Sequence, residues 1–275
     1  MLRTGARKTP RINTMKLTEQ QIAHFETFGF LTRRQVFTPS EMADMTSAAD
    51  DLWQQARQED ADENGYQAMG QFIEQSPRLS WLADDDRIYE PMMQLLGDGF
   101  IWGGSEGNKG TFNETRNHCW HSDRVEFLGL DYGLVKHMIY LEPTTKQTGA
   151  LRVVPGSHFK QFGEMLGPLN SQQECTCRDL FGVEGDQMPC AALESEPGDL
   201  VMFNHYLFHG VYHKQPNRRY IVLKYAAKPT RAEHVKALCA HHQDASCLHD
   251  VFRGSTRPRI RAMIENLIAS ETLST

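Results

Sequence analysis

A jelly-roll or β-barrel domain flanked by α-helices is the fold class this sequence predicts, mainly β with a helical N-terminal part, and three observations predict it. After Phe100 the chain breaks into short β-rich runs, Leu134 to Leu141, Leu151 to Val154, Leu200 to Phe203 and Tyr220 to Tyr225. Pro155-Gly156 and Pro197-Gly198-Asp199 punctuate these runs as tight turns. Ahead of Phe100, apolar residues recur at helical spacing instead. Several short strands with turns and no helix between them make an all-β barrel or jelly roll.

Taken in order, residues 1–16 carry Arg3, Arg7, Lys8, Arg11 and Lys16 with no acid before Glu19. They read as a basic extension, disordered or non-native, with Met15 opening the natural chain. An organellar transit peptide is the alternative. A helix then starts at Thr18, which caps, with Gln21 as its capping-box partner, and Gly29 ends it in a left-handed conformation. A second starts at Thr38-Pro39-Ser40-Glu41, and Met42, Met45, Ala49, Leu52, Trp53 and Ala56 form its apolar face. A third runs from about Asp85 to Leu96 and stops at Gly97. Residues 163–191 are long and polar and read as an insertion over one end of the barrel. A last helix spans 258–269, with Ile260, Ile264, Leu267 and Ile268 as its buried stripe. The expected organisation is one domain over 17–275: helical over 17–99, a β core over about 100–230, and a helical segment over 231–275.

Composition narrows the function. Of 275 residues 40% are apolar and 23% charged, the mixture of an ordinary globular chain. The net charge of −6, without a basic stripe, argues against a nucleic-acid partner. No run reaches about 18 apolar residues, so no membrane span is expected. The six cysteines show no CxxC pair and no secretory signal precedes them, which predicts free thiols and a cytoplasmic location.

Three fragments carry chemistry. In Trp120-His121-Ser122-Asp123 the residues two apart share a face of an extended strand, so an imidazole and a carboxylate can meet one cation. A second histidine from a distant strand would complete the two-histidine, one-carboxylate triad of non-haem Fe(II) oxygenases. The stretch from Pro197 to Gly210 supplies His205 and His209, with His213 close behind, and spacing alone does not choose among them. The third fragment is Arg218-Arg219, opening the apolar run Tyr220 to Tyr225. An arginine at a barrel mouth suits a dicarboxylate, and strand alternation lets only one of the two point inward.

The order HxD, a PGD turn, HG and then arginine resembles the phytanoyl-CoA dioxygenase (PhyH) family. The resemblance includes the stretch from Leu17 to Phe30 and the turn Gly149 to His158, which is similar to the family's PGSH turn. It implies a double-stranded β-helix and an Fe(II)- and 2-oxoglutarate-dependent oxygenase. His121, Asp123 and His209 would then be the metal ligands, with Arg218, or alternatively Arg219, on the far carboxylate of 2-oxoglutarate. His158 would hold its turn. Relatives that halogenate have a small residue where this chain has Asp123, so the carboxylate implies hydroxylation or another oxidation and not halogenation, using O2 and releasing succinate and CO2. No separate protein acid or base is assigned.

The stretch from Gly103 to Cys119 is polar, and over the iron it would make a pocket for a small polar or anionic metabolite. Lys109, Arg116, His118, Lys136 and His205 are the candidate substrate contacts, and Arg124 and Arg152 are further candidates for an anionic head. The N-terminal helices either pack on the barrel or form a dimer contact. Two other readings remain: a cupin-type metal enzyme that does not use 2-oxoglutarate, and a non-catalytic barrel that binds a small ligand.

Overall fold

The N-terminal helices begin where side chains can satisfy the free N–H groups at their ends. In the computed structural model, which describes residues 15–59, 67–110, 117–171, 174–216, 218–240, 245–270 and 273, Thr18 accepts from the Gln21 N–H and Gln21 accepts from the Thr18 N–H. That box opens α1 (Glu19–Phe28), and the same reciprocal bonds between Thr38 and Glu41 open α2 (Pro39–Glu59). Asp85 caps α3 (Asp86–Leu96) by accepting from the Arg87 N–H. Gly29 closes α1 at φ 83°, and a Cβ there would lie 2.7 Å from His158 Nδ1. His158 in turn bonds the Glu26 carbonyl, so the PGSH turn is pinned to the first helix, as expected of a structural histidine.

Ten strands form two antiparallel sheets. The helical third contributes β1 (Phe30–Arg33) and β2 (Gln67–Gly70), which sequence periodicity did not reveal. Then follow β3 (Ile101–Lys109), β4 (His118–His121), β5 (Leu134–Tyr140) and β6 (Leu151–Val153). Residues 160–187 hold α4 (Lys160–Leu166), a ribbon of β7 (Thr176–Cys177) and β8 (Val183–Glu184), and α5 (Arg178–Phe181) between them. The chain returns through β9 (Ala191–Leu193), β10 (Leu200–Asn204), β11 (His209–Val211) and β12 (Arg219–Ala226). Helices α6 (Ala232–Cys239), α7 (Asp250–Arg253) and α8 (Pro258–Ser270) finish it. The large sheet has the order β1-β10-β5-β12-β3-β2 and the small one β4-β11-β6-β9.

Pleat alternation divides the interior. Met138, Tyr140, Phe203 and Val222 of the large sheet meet Leu151, Val153 and Val211 of the small one, so the two sheets pack face to face as a jelly roll. The alternate residues Ile139, Met202, Ile221 and Leu223 face the helices and pack with Met45, Trp53, Ile88 and Leu267. Strand β3 runs into the polar stretch expected over the iron, and it carries three glycines. Tertiary packing explains one of them: a Cβ on Gly107 would lie 2.2 Å from the Phe72 ring.

Three expectations are corrected. The insertion does not lie over an end of the barrel. Its Leu166, Leu169, Cys177 and Met188 pack under Trp120, Phe208 and Tyr212, covering the outer face of the small sheet. The cysteines are not all free: Cys119 on β4 and Cys175 in the insertion form a disulfide, because the fold brings their Cα atoms to 4.5 Å. No spacing rule pairs two cysteines 56 residues apart. In α8, Met263 takes the buried position expected of Ile268, which is exposed. Among the described residues, no helix is long and apolar enough to cross a membrane.

Two outcomes follow for stability. His137 on β5 is fully buried against the edge of Tyr225, and neither ring nitrogen has a partner among the described residues. Burial, assisted by the Arg33 charge, pushes its pKa down to about 3. The unfolded chain therefore takes up this proton near pH 6.5 and the folded chain does not, so stability is full above that pH and falls as pH drops toward 3, by about 1.4 kcal/mol per unit. His137→Phe should narrow its stability gap to the wild type by that slope in urea titrations between pH 6.5 and 4.5. A pH-independent gap would contradict it. Cys119→Ser with Cys175→Ser should cost about 2–4 kcal/mol, measured as loss of unfolding free energy without reductant.

Candidate metal centre

Antiparallel pairing of β4 with β11 sets His121 opposite His209, with their ring centroids 4.3 Å apart. Each ring is fixed by the carbonyl two residues before it. His121 Nδ1 lies 2.7 Å from the Cys119 oxygen, and His209 Nδ1 lies 2.9 Å from the Leu207 oxygen. An Nδ1–H donated to each carbonyl leaves both Nε2 atoms as bare lone pairs, the tautomer a metal needs. Asp123 closes the group. Its Oδ1 is 3.7 Å from His121 Nε2 and its Oδ2 is 3.9 Å from His209 Nε2. One ligand atom from each of the three lies within 4.8 Å of the others, near enough to share one ion.

The local backbone differs from the expected one. Strand β4 ends at His121, and Ser122 turns the chain by accepting the Arg124 N–H on its hydroxyl. The carboxylate of Asp123 thus reaches the histidines from a turn, not from the next inward position of a strand. The choice among histidines is settled in the same way. Strand β10 ends at Asn204, whose side chain accepts the Tyr206 N–H, and the chain crosses to the small sheet before His209. His205 stays in that crossing, buried, and does not line the pocket. His213 pairs with Asp186 instead.

Charge at the centre is balanced by the opposite sheet. Burial alone would raise the Asp123 carboxyl, but the Lys136 ammonium, 2.6 Å away, and the surrounding histidines hold it well below the usual carboxylate range. Lys136, on β5, is held above its ordinary value because Asp123 and Glu106 outweigh its own burial. Glu106 pairs with Lys224. Burial, with His121 adding to it, pushes His209 down to about 3, so its lone pair is free for a metal across the physiological range.

Glu106, His121, Asp123, Lys136 and His209 line a cavity of about 130 Å³ between the sheets, with Met138, Leu151, Phe203, Val211 and Val222 as its apolar wall. Arg218 closes its far side, 7% exposed. It donates to the Tyr140 hydroxyl at 2.9 Å, with its guanidinium 4.5 Å from the Tyr220 ring centre. Arg219 points the other way, to Glu142 and Asp50, so alternation along β12 resolves the pair. His118 and Lys136 also line the cavity, whereas Lys109 pairs with Asp50 beside Trp53. Arg116 lies outside the described residues. Arg124 and Arg152 are fully buried and donate to the carbonyls of Ala237 and of Asp186 and Lys146, so neither is an anion site. Tyr140 was missed, although Lys136, Met138 and Tyr140 recur two apart on one strand, which would have placed it inward.

The donor set fits a divalent first-row metal such as iron, with two imidazoles and one carboxylate leaving other coordination positions for exogenous ligands. Among the described residues no other such group exists, and Cys175 cannot join Cys177 in a zinc site because it is disulfide-bonded.

The chain is 25% identical to an ectoine dioxygenase from Sphingopyxis alaskensis over 220 residues, which cover 72% of this chain and 71% of that protein. Its fold matches apo EctD from S. alaskensis with a TM-score of 0.61, at 23% identity, covering 78% of this chain and 79% of that one. It also matches HygX from Streptomyces hygroscopicus with nickel and 2-oxoglutarate bound, with a TM-score of 0.60 at 21% identity, over 77% and 88% of the two chains. The family model of phytanoyl-CoA dioxygenase (PhyH) matches residues 25–215, and the chain belongs to that family.

Proposed function

We propose that the protein is an Fe(II)- and 2-oxoglutarate-dependent dioxygenase that hydroxylates an aliphatic C–H bond of a small, polar or anionic metabolite. The observation that carries this reading is the convergence of His121, Asp123 and His209 in one cavity with the buried Arg218. A structure of HygX, similar in fold, holds 2-oxoglutarate, and the relative from S. alaskensis is named for ectoine.

Iron, 2-oxoglutarate and O2 together supply an oxidant able to attack an unactivated C–H bond, with succinate and CO2 as by-products. The chain's own residues hold and orient. His121, Asp123 and His209 hold the iron. Arg218, steadied by Tyr140 and by stacking on Tyr220, offers its planar fork to the far carboxylate of 2-oxoglutarate. The wall of Met138, Leu151, Val211 and Val222 excludes water along that cosubstrate. On the side of Lys136, Glu106 and His118 the cavity is polar, and there a small charged substrate finds both signs of charge.

Anaerobic apo-protein given Fe(II) and then 2-oxoglutarate should develop a weak visible charge-transfer band that needs both. Arg218→Ala should weaken 2-oxoglutarate binding about 10- to 100-fold, the loss of charge-assisted hydrogen bonds, while iron still binds. Arg219→Ala should change it less than threefold. Equal effects of the two variants would remove Arg218 from the role. Asp123→Ala should abolish stoichiometric iron binding. A screen of polar metabolites by succinate release tests the substrate class, and turnover confined to long-chain acyl substrates would refute it.

A further inference from the structure

Strand β4 carries the first metal ligand, yet it is an edge strand of the small sheet. Among the described residues only β11 pairs with it, through an irregular register at His121 and His118. Sheet pairing therefore holds one side of β4 and leaves the chain after His121 without a strand neighbour. The insertion occupies the other side. The disulfide ties Cys119 to Cys175, and the Trp120 indole N–H donates to the Gly185 carbonyl at 2.7 Å. Beyond the strand, Asn170 meets Ser122 with both ends of its amide. The Ser122 N–H donates to Asn170 Oδ1 at 3.0 Å, and Asn170 Nδ2 donates to the Ser122 carbonyl at 3.0 Å.

We infer that Asn170 is a positioning residue of the metal centre: its side-chain amide acts as the missing strand neighbour and fixes the peptide units on which His121 and Asp123 stand. Ser122 is the one residue between these two ligands and is 4% exposed. Water is therefore a poor substitute for either bond. The ligand side chains have their own partners: His121 is oriented by the Cys119 carbonyl and Asp123 by Lys136. Among the bonds made by described residues, Asn170 takes both the N–H and the carbonyl of Ser122, and the Ser122 hydroxyl adds one bond to the Arg124 N–H beyond Asp123. Asn170 itself stands in a short turn, Gly167–Ser171, anchored in the apolar layer by Leu169 and Leu166. A ligand pair whose connecting backbone is loose must be ordered when the ion arrives, and metal affinity falls accordingly.

The inference rests on the metal-centre reading and is separable from it by experiment. Apo-protein is titrated with Co(II), whose visible absorption reports coordination geometry. Wild type should bind one equivalent; failure there would refute the metal centre itself and say nothing against the bonds of Asn170. Given that binding, Asn170→Leu, which keeps the volume and removes both bonds, should raise the Co(II) dissociation constant about 10- to 100-fold and shift the absorption, with the apo-protein still folding cooperatively by circular dichroism. Asn170→Gln, which retains the amide on an exposed turn, should stay within about threefold of wild type. Affinity and spectrum unchanged in Asn170→Leu would overturn the inference, as would Gln and Leu variants weakened alike. Should the Leu variant not fold, Asn170→Asp decides. It keeps size and the bond from the Ser122 N–H but turns the donor facing the Ser122 carbonyl into an acceptor. Weaker Co(II) binding despite the added negative charge supports the inference, and wild-type affinity overturns it.

Discussion

The Asp123 carboxylate is the charge around which the interior is arranged. A lone carboxylate between two β-sheets would take up a proton, because burial penalises its charged form. Here Lys136 reaches it from the facing sheet at 2.6 Å and keeps it ionised. Asp123 follows β4 of the small sheet and Lys136 belongs to β5 of the large one, so the ion pair spans the two layers. Glu106 and Lys224, on β3 and β12, extend this pattern with a second, half-buried pair. The centre is thus set for a cation before any metal arrives, with one carboxylate anionic and the His209 imidazole neutral.

The same strands build both the pocket and the core, because the pleat separates them. On β5, Lys136, Met138 and Tyr140 face the cavity, while His137 and Ile139 face the helices. On β12, Tyr220 and Val222 line the cavity and Ile221, Leu223 and Tyr225 enter the helical core. Arg218 falls on the inner series, and Arg219 is held outside by Asp50 of α2 and by Glu142. A slip of one residue in β12 would exchange the two arginines and swap its cavity-lining residues with its core residues, which is why the register is strongly determined.

The small sheet has two working faces. Its inner face presents His121 and His209 to the cavity, and its outer face is a floor for the insertion, with Trp120, Phe208 and Tyr212 pressed on Leu166, Leu169 and Met188. Residues adjacent in sequence to the ligands, Trp120 and Phe208, are the ones that anchor this outer layer. Burying the large aromatic neighbour of a ligand fixes the ligand's own backbone, so the insertion supports the centre from behind and lends no residue to the cavity lining described here.

Residue order along the chain was enough to read the His121 and Asp123 pair, the helix starts at Thr18, Thr38 and Asp85, and the jelly-roll class, whereas His209 was singled out only by the family resemblance. The former rest on short-range chemistry: capping bonds reach three residues, turns need glycine and proline, and the ligand and arginine motifs keep a fixed order. Tertiary structure alone decided what depends on residues distant in sequence. It paired Cys119 with Cys175, hid β3 under a glycine-rich, polar stretch that only Phe72 and β12 explain, and laid the insertion behind the small sheet. It also buried Arg124 and Arg152 on backbone carbonyls and set Lys136 on Asp123. A cation's role depends on which acceptor lies within about 3 Å of it, and that distance is set by how the two sheets face each other, which no local pattern in the chain records.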